Sequence, residues 1–267
     1  MRKFVTIFFL LASAFSRAQD TSFFKLTGKL EGTYTDFNVD NLGNYYLLSK
    51  NNQLKKLSSK GDSVGVFNDV RRYGKLYSMD VTNPLKCLLY YRNFSTVVVL
   101  DRFLNTVNTI DLRKQNIFQV KAIAQSYDNK IWLYDEQNNK LKKIGDDGVV
   151  LMETPDLRTI FNEVPSPVSL TDQDGYVYLY DPEKGLYVFD IYGSFKTKVS
   201  YTGLTDVTVI GKTFAGRRNG SLLTYTIGTL TERTFPLPAV VEQQNKCVFL
   251  PGHLYVLQPG GVLHFTI

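Results

Sequence analysis

Two stretches of the chain, NNQLKKLSSKGDSVGVF (51–67) and NNKLKKIGDDGVVLM (138–152), read as copies of one another. Each opens on an Asn pair, runs into a Leu-Lys-Lys strand, turns through Gly and Asp, and returns as a second alternating strand. Asp, Asn and Gly tolerate the left-handed backbone that tight hairpins need, so both copies read as β-hairpins. Asn51 and Asn138 lie 87 residues apart, which is two periods of about 43 residues, the length of a four-stranded propeller blade.

The same period places further strands. LGNYYLLSK (42–50), LKCLLYYR (85–92), DNKIWLYD (128–135) and DGYVYLYD (174–181) each follow a polar turn, and IGKTFAGR (210–217) and PGHLYVLQ (251–258) continue the series more weakly. Unit three is the clearest. VKAIAQ (120–125), KIWLYD (130–135), KLKKI (140–144) and VVLME (149–153) alternate with turns at Tyr127-Asp128-Asn129, EQNN and Asp147-Gly148. No stretch sustains a helical period, and DLRTIFNEV (156–164), between two prolines, reads as one short turn between units.

The ends of the chain complement each other. The last unit supplies three strands, KCVFL (246–250), HLYVL (253–257) and VLHFTI (262–267), and then stops. FFKLTGKL (23–30) is a strand without a unit of its own. Placed outermost in the sixth blade, it would close the ring and remove the exposed edges of an open array. The expected fold is therefore all-β: one β-propeller of six four-stranded blades over 19–267, its last blade closed by the N-terminal strand. Units two, five and six depart from the pattern, which leaves seven blades as the alternative count.

Residues 1–18 read as a signal peptide. Met1-Arg2-Lys3 is a basic head, FVTIFFLLASAF (4–15) an apolar core too short to span a bilayer, and Ser16-Arg17-Ala18 a small-x-small cleavage pattern. No cysteine lies near the cut, and no later run is apolar for long enough to cross a membrane as a helix. The expected location is outside the cytoplasm, in the periplasm, at the outer membrane or secreted. Losing Arg2, Lys3 and Arg17 leaves 28 basic against 25 acidic residues, a net charge of +3 rather than +6. The doublets Lys55-Lys56, Arg71-Arg72, Lys142-Lys143 and Arg217-Arg218 are spread along the chain and read as solvated strand faces. Nucleic acid, which wants basic residues gathered on one face, is not an expected partner. The 43% hydrophobic content, with 18 Phe and 17 Tyr, excludes a disordered chain.

The repeat resembles the six-bladed NHL- or TolB-like β-propeller group across the whole mature chain. The residues that carry the resemblance are Asp40, Gly43 and Asn44 in a D-x-x-G-N turn, Asp172 and Gly175, and the Leu-Tyr-Asp endings at 133–135 and 179–181. The Lys/Asn/Tyr-rich style resembles exported proteins of Bacteroidota. The resemblance implies an architecture and no single activity.

No residue set is assigned as catalytic, cofactor-binding or metal-binding. Gly61-Asp62-Ser63-Val64-Gly65 matches G-x-S-x-G, yet a nucleophile elbow needs a helix after the Ser, and unit three has no Ser in that turn. His253 and His264 are expected on one face of the last hairpin, short of a third ligand. Asp146-Asp147 and Asp172/Asp174 read as turn caps. Tyr34, Tyr45, Tyr46, Tyr90, Tyr91, Tyr178 and Tyr180 read mostly as packing between blades. Cys87 and Cys247 fall in units two and six and are expected to be buried free thiols.

These readings favour a non-enzymatic interaction or assembly module of the cell envelope, monomeric by itself. Its expected partner is an envelope or outer-membrane protein complex for transport or secretion. The alternative is a lactonase- or lyase-like enzyme with a metal in the central channel, drawing on Asn38, Asp40, Asp80, Gln125, Ser169 and Asp206 of the inner strands.

Overall fold

The computed structural model describes residues 23–267, and all six of its sheets have four antiparallel strands. The N-terminal strand is β1 (Lys25–Glu31). Blade 1 follows with β2 (Asp36–Val39), β3 (Tyr45–Leu48), β4 (Leu54–Leu57) and β5 (Ser63–Phe67). Blade 2 holds β6 (Ser78–Asn83), β7 (Lys86–Tyr91), β8 (Thr96–Asp101) and β9 (Thr106–Asp111). Blade 3 holds β10 (Val120–Gln125), β11 (Ile131–Asp135), β12 (Lys140–Ile144) and β13 (Val150–Glu153). Blade 4 holds β14 (Ser169–Gln173), β15 (Tyr176–Asp181), β16 (Gly185–Asp190) and β17 (Phe195–Val199). Blade 5 holds β18 (Thr205–Ile210), β19 (Thr213–Arg218), β20 (Ser221–Thr226) and β21 (Thr231–Pro236). Blade 6 is β22 (Cys247–Leu250), β23 (His253–Gln258), β24 (Gly261–Thr266) and, outermost, β1.

The count is six, not seven, and the N-terminal strand closes the ring as its sequence suggests. Lys25 stands opposite Thr266 and Glu31 opposite Gly261. The expected turn near 156–164 is α1 of blade 3's exit, a one-turn helix at Leu157–Phe161 capped by the Asp156 carboxylate. The signal-peptide reading over 1–18 lies outside the described residues. Among the described residues, no helix is long and apolar enough to cross a membrane.

The core is divided among six clusters, each lying between two neighbouring blades. Leu48, Leu54, Leu89, Val98 and Leu100 fill the seam between blades 1 and 2, and Trp132, Leu141, Leu179 and Phe189 that between blades 3 and 4. Such seams follow from strand alternation, because both faces of a blade meet another blade and both rows of side chains become apolar. Tyr45, Tyr46, Tyr90, Tyr91, Tyr178 and Tyr180 are buried in these seams, and Tyr34 is half-buried.

Cys87 lies in the seam between blades 1 and 2 and Cys247 in that between blades 5 and 6. Both are free. Burial pushes the Cys247 thiol up to about 12 and raises that of Cys87 as well, so neither is a ready nucleophile.

The basic doublets are a correction. Arg71 and Arg72 are exposed, but Lys56, Lys142, Lys143 and Arg217 are buried. The expectation of solvated faces holds for Lys55 and Arg218 and fails for these four, because most positions on the middle strands of a blade face a neighbouring strand or blade. A lysine there is tolerated only where carbonyls, carboxylates or rings receive its ammonium.

Candidate functional site

The innermost strand of every blade lines a central channel of about 820 Å³. Its wall mixes apolar side chains such as Ile123, Leu170 and Phe249 with the polar Asn38, Asp80, Lys121, Ser169, Asp206 and Lys246, while Gln125 does not reach it. Each inner carboxylate is engaged. Asp80 accepts from the Thr82 hydroxyl at 2.7 Å and, across the seam, from the Gln125 backbone N–H at 2.6 Å. Asp206 meets the Arg217 guanidinium at 2.7 Å, whose other donors go to the carbonyls of Glu242, Gln243 and Asn245. Burial nevertheless raises the Asp206 pKa, with Arg217 pulling it back only in part. Asp40 accepts from the backbone N–H groups of Leu42 and Asn44, the Asn44 amide and the Tyr46 hydroxyl.

Asp172 corrects the expectation of a self-capping turn. Its carboxylate reaches back into blade 3 and accepts from the Ser126 hydroxyl at 2.8 Å and the Trp132 indole N–H at 3.0 Å. Asp147 does cap its own turn through the Val149 N–H, whereas Asp146 pairs with Lys86 of blade 2 at 3.0 Å. Ser63 is exposed and opens strand β5, so the G-x-S-x-G match carries no nucleophile elbow. Gly65 in that match has a packing reason. A Cβ on it would lie 2.1 Å from the Phe103 carbonyl oxygen of blade 2.

His253 and His264 do share a face. His253 Nδ1 and His264 Nε2 are 3.0 Å apart, and the His264 ring stacks on Tyr255. Burial, and then His253, lower the His264 pKa from its ordinary value. Among the described residues, no three His, Cys, Asp or Glu side chains converge as ligands would. The carboxylates of Asp40, Asp80 and Asp206 serve as clips within and between blades and do not converge on the channel as a ligand set.

The ends of the ring differ. One face, the turn face, carries the turns from first to second strand of each blade and, in blades 1 to 5, from third to fourth. The other, the connection face, carries the middle turns and the links between blades. On the turn face a recurrent Asp sets the tips. Asp101 accepts from the N–H groups of Phe103 and Asn105, and Asp190 from those of Tyr192 and Ser194, as Asp40 does from Leu42 and Asn44. The residue two positions after each Asp is thrown outward, and in all three turns it is apolar. Gly43, with φ +79°, completes the first of these turns, and Leu104 takes the equivalent left-handed place in the second at φ 66°.

Leu42 and Tyr127 are each 63% exposed and Leu85 62%, on the inner turns of blades 1, 2 and 3. Phe103 is exposed beside them. Lysines hold these turns together. Lys56 Nζ donates to the carbonyls of Pro84 at 3.3 Å and Arg102 at 3.0 Å, 4.0 Å from Asp40. Lys86 Nζ donates to the Asn129 carbonyl at 2.6 Å, and Lys143 pairs with Asp128 at 2.7 Å beneath Tyr127. The result is an apolar arc on a braced support. Sequence reasoning did not single out Leu42, Leu85, Phe103 and Tyr127 as a surface; the available signal was a large apolar residue inside a turn opened by Asp40, Asn83, Asp101 or Ser126.

The sequence matches no protein-family model and no curated protein. Solved structures do match. The WD40 domain of Neurospora crassa Pan2 is similar at a TM-score of 0.63 and 12% identity, over 91% of this chain and 81% of its own. Virginiamycin B lyase from Staphylococcus aureus is similar at 0.60 and 12% identity, over 86% and 79%. A streptogramin B lyase is similar at 0.60 and 15% identity, over 86% and 78%. Likeness at this identity extends to the fold and no further: the chain is a six-bladed β-propeller.

Proposed function

We propose that this chain is a non-enzymatic protein-interaction module, exported to the cell envelope, where it serves as a subunit of an outer-membrane transport or secretion assembly. The observation that carries the interaction role is the apolar arc of Leu42, Leu85, Phe103 and Tyr127 on the turn face. Exposed apolar side chains gathered on one surface mark association sites, and a rigid sheet scaffold with variable turns is suited to present them. Export rests on the leader-like sequence of 1–18. The finer NHL- or TolB-like grouping and the likeness to Bacteroidota proteins rest on the turn motifs and composition.

The test is cross-linking in native envelopes with tagged wild type and with Leu42→Ser/Phe103→Ser/Tyr127→Ser, followed by mass spectrometry. One discrete envelope protein should be captured by the wild type and lost from the variant. The same captured set from both proteins would remove the arc from consideration. An intact mass that retains Met1 would overturn export.

A further inference from the structure

The connection face separates its charges. Lys50, Arg71, Arg72, Lys75 and Lys114 are exposed there, and no carboxylate pairs with any of them among the described residues. Most other cations of the same face are neutralised, Arg92 by Glu136, Arg113 by Asp111, Arg158 by Asp156 and Lys184 by Asp181, while Arg218 of blade 5 stands apart and donates to the Thr202 carbonyl.

The five cations without a carboxylate partner belong to segments that touch, and Arg72 also lies over the Tyr73 ring at 5.1 Å. Arg71 and Arg72 sit on the short helix Val70–Tyr73 that leads from blade 1 to blade 2. The Tyr73 hydroxyl bonds Thr109 Oγ1 at the end of β9, 3.2 Å away. Gly74 borders the Phe94 ring, and the Leu112 N–H donates to the Ser95 carbonyl at 2.9 Å, which brings the Lys114 segment alongside. Lys50 projects from the middle turn of blade 1, whose flanking Leu48 and Leu54 pack with Tyr73 and Leu76. The acidic residues of these segments are Asp69 and Asp111, and Asp111 is already engaged by Arg113 at 2.8 Å. Phe94 lies exposed within the patch.

We infer that this sector over blades 1 and 2 is a second interaction surface, built to take an acidic protein segment with an apolar side chain set against Phe94. Unpaired surface cations in a cluster attract a complementary chain and speed its encounter, while an exposed ring supplies short-range contact. An anionic bilayer fits less well. The rest of the same face carries Glu183 and Glu242, which would meet a flat lipid surface together with the patch. An extended segment can follow the patch alone. The inference concerns the face opposite the apolar arc and does not depend on that arc's role.

The probe is a short fluorescein-labelled peptide of Glu and Asp with one central Phe, read by fluorescence anisotropy at low and moderate salt. Wild type should bind it, and more weakly as salt rises, since exposed charges are screened beyond about 8 Å at physiological ionic strength. Arg71→Glu/Arg72→Glu should weaken binding about tenfold at low salt. Lys60→Glu/Lys212→Glu, the same charge change on the turn face, should leave it unaltered. All four positions are exposed, and unchanged melting curves confirm that each variant is folded. No binding by wild type, or equal weakening by both variants, overturns the site. Arginine-dependent binding to phosphatidylglycerol vesicles that exceeds binding to the peptide overturns the choice of partner.

Discussion

The hairpins of blades 1 and 3 carry the same Leu-Lys-Lys sequence and treat it differently. Lys55 is exposed, whereas Lys142 at the same place is closed against the Asp135 carboxylate at 2.8 Å, with side chains only 7% and 0% exposed. Blade 1 has Ser49 where blade 3 has Asp135, since Leu48 stands opposite Leu54 as Tyr134 stands opposite Leu141, so Lys55 has no carboxylate to turn to. Lys56 leaves its blade to bind carbonyls of blade 2, while Lys143 stays at home with Asp128 and the rings of Tyr127 and Trp132. Gly65 and Met152 are the third contrast. Blade 2 presses on Gly65 too closely for a Cβ, but Met152 packs into the seam with blade 4. A repeat thus sets which strand a residue occupies and how it faces, and the neighbouring blade sets what it touches.

The strongest way to break this comparison is to remove the carboxylate that blade 1 lacks. Asp135→Leu leaves the Lys142 ammonium buried with Glu153 at 3.7 Å as its remaining partner. Urea unfolding should show a loss of about 3 kcal/mol, the usual cost of orphaning a buried charge. Adding Lys142→Leu should restore more than half of it. A double variant as unstable as the single would show that the ion pair is not the cause.

Gly65→Ala comes next. The new methyl meets a backbone oxygen that cannot swing aside, and overpacking of this kind costs about 1–3 kcal/mol. An unchanged melting temperature would mean that blades 1 and 2 do not approach as described.

The seams themselves are sharpened by the two cysteines. Replacing Cys87 or Cys247 by Ala should cost about 1 kcal/mol, the packing of one sulfur. Thiol titration without reductant should find none in the native protein and both after denaturation. A protein that stays blank when denatured would have its cysteines joined, which the intervening blade forbids.

The closing blade adds a pH test. His264 holds its proton less well in the fold than at its ordinary 6.5, first through burial and then through His253. The unfolded chain therefore binds more protons as pH falls below 6.5, and stability must fall with it. His264→Phe should flatten that decline in melting temperature between neutral pH and pH 5; an identical profile would assign it to other groups.

The smallest expected effect is that of Lys55→Met, within about 0.5 kcal/mol of wild type. A loss comparable to that of Asp135→Leu would erase the distinction between the two lysines.

Much of the fold was legible because a propeller writes its period into the chain. The second strand of every blade was placed from sequence, down to the weak IGKTFAGR and PGHLYVLQ, and so was the pairing of 23–30 with the C-terminal strand. The candidate surface was less legible. Asp40 was singled out, but Leu42 two residues on was not, since apolar residues on alternating strands are ordinarily interior. Its outward direction comes from the turn that Asp40 closes.

What the sequence determined alone was therefore local and periodic: strand, turn, six repetitions and a spare strand to close them. Alternating apolar residues and left-handed turn formers act through neighbours a few positions away, and the chain displays those directly. The fates of Lys56, Lys142, Asp172 and Gly65 were decided only in the tertiary structure. Each depends on an atom in another strand or another blade, such as the Arg102 carbonyl, the Asp135 carboxylate, the Trp132 indole or the Phe103 carbonyl. Strand pairing within a blade and the packing of neighbouring blades bring those atoms within a few ångströms, and a buried charge is tolerated only where they do.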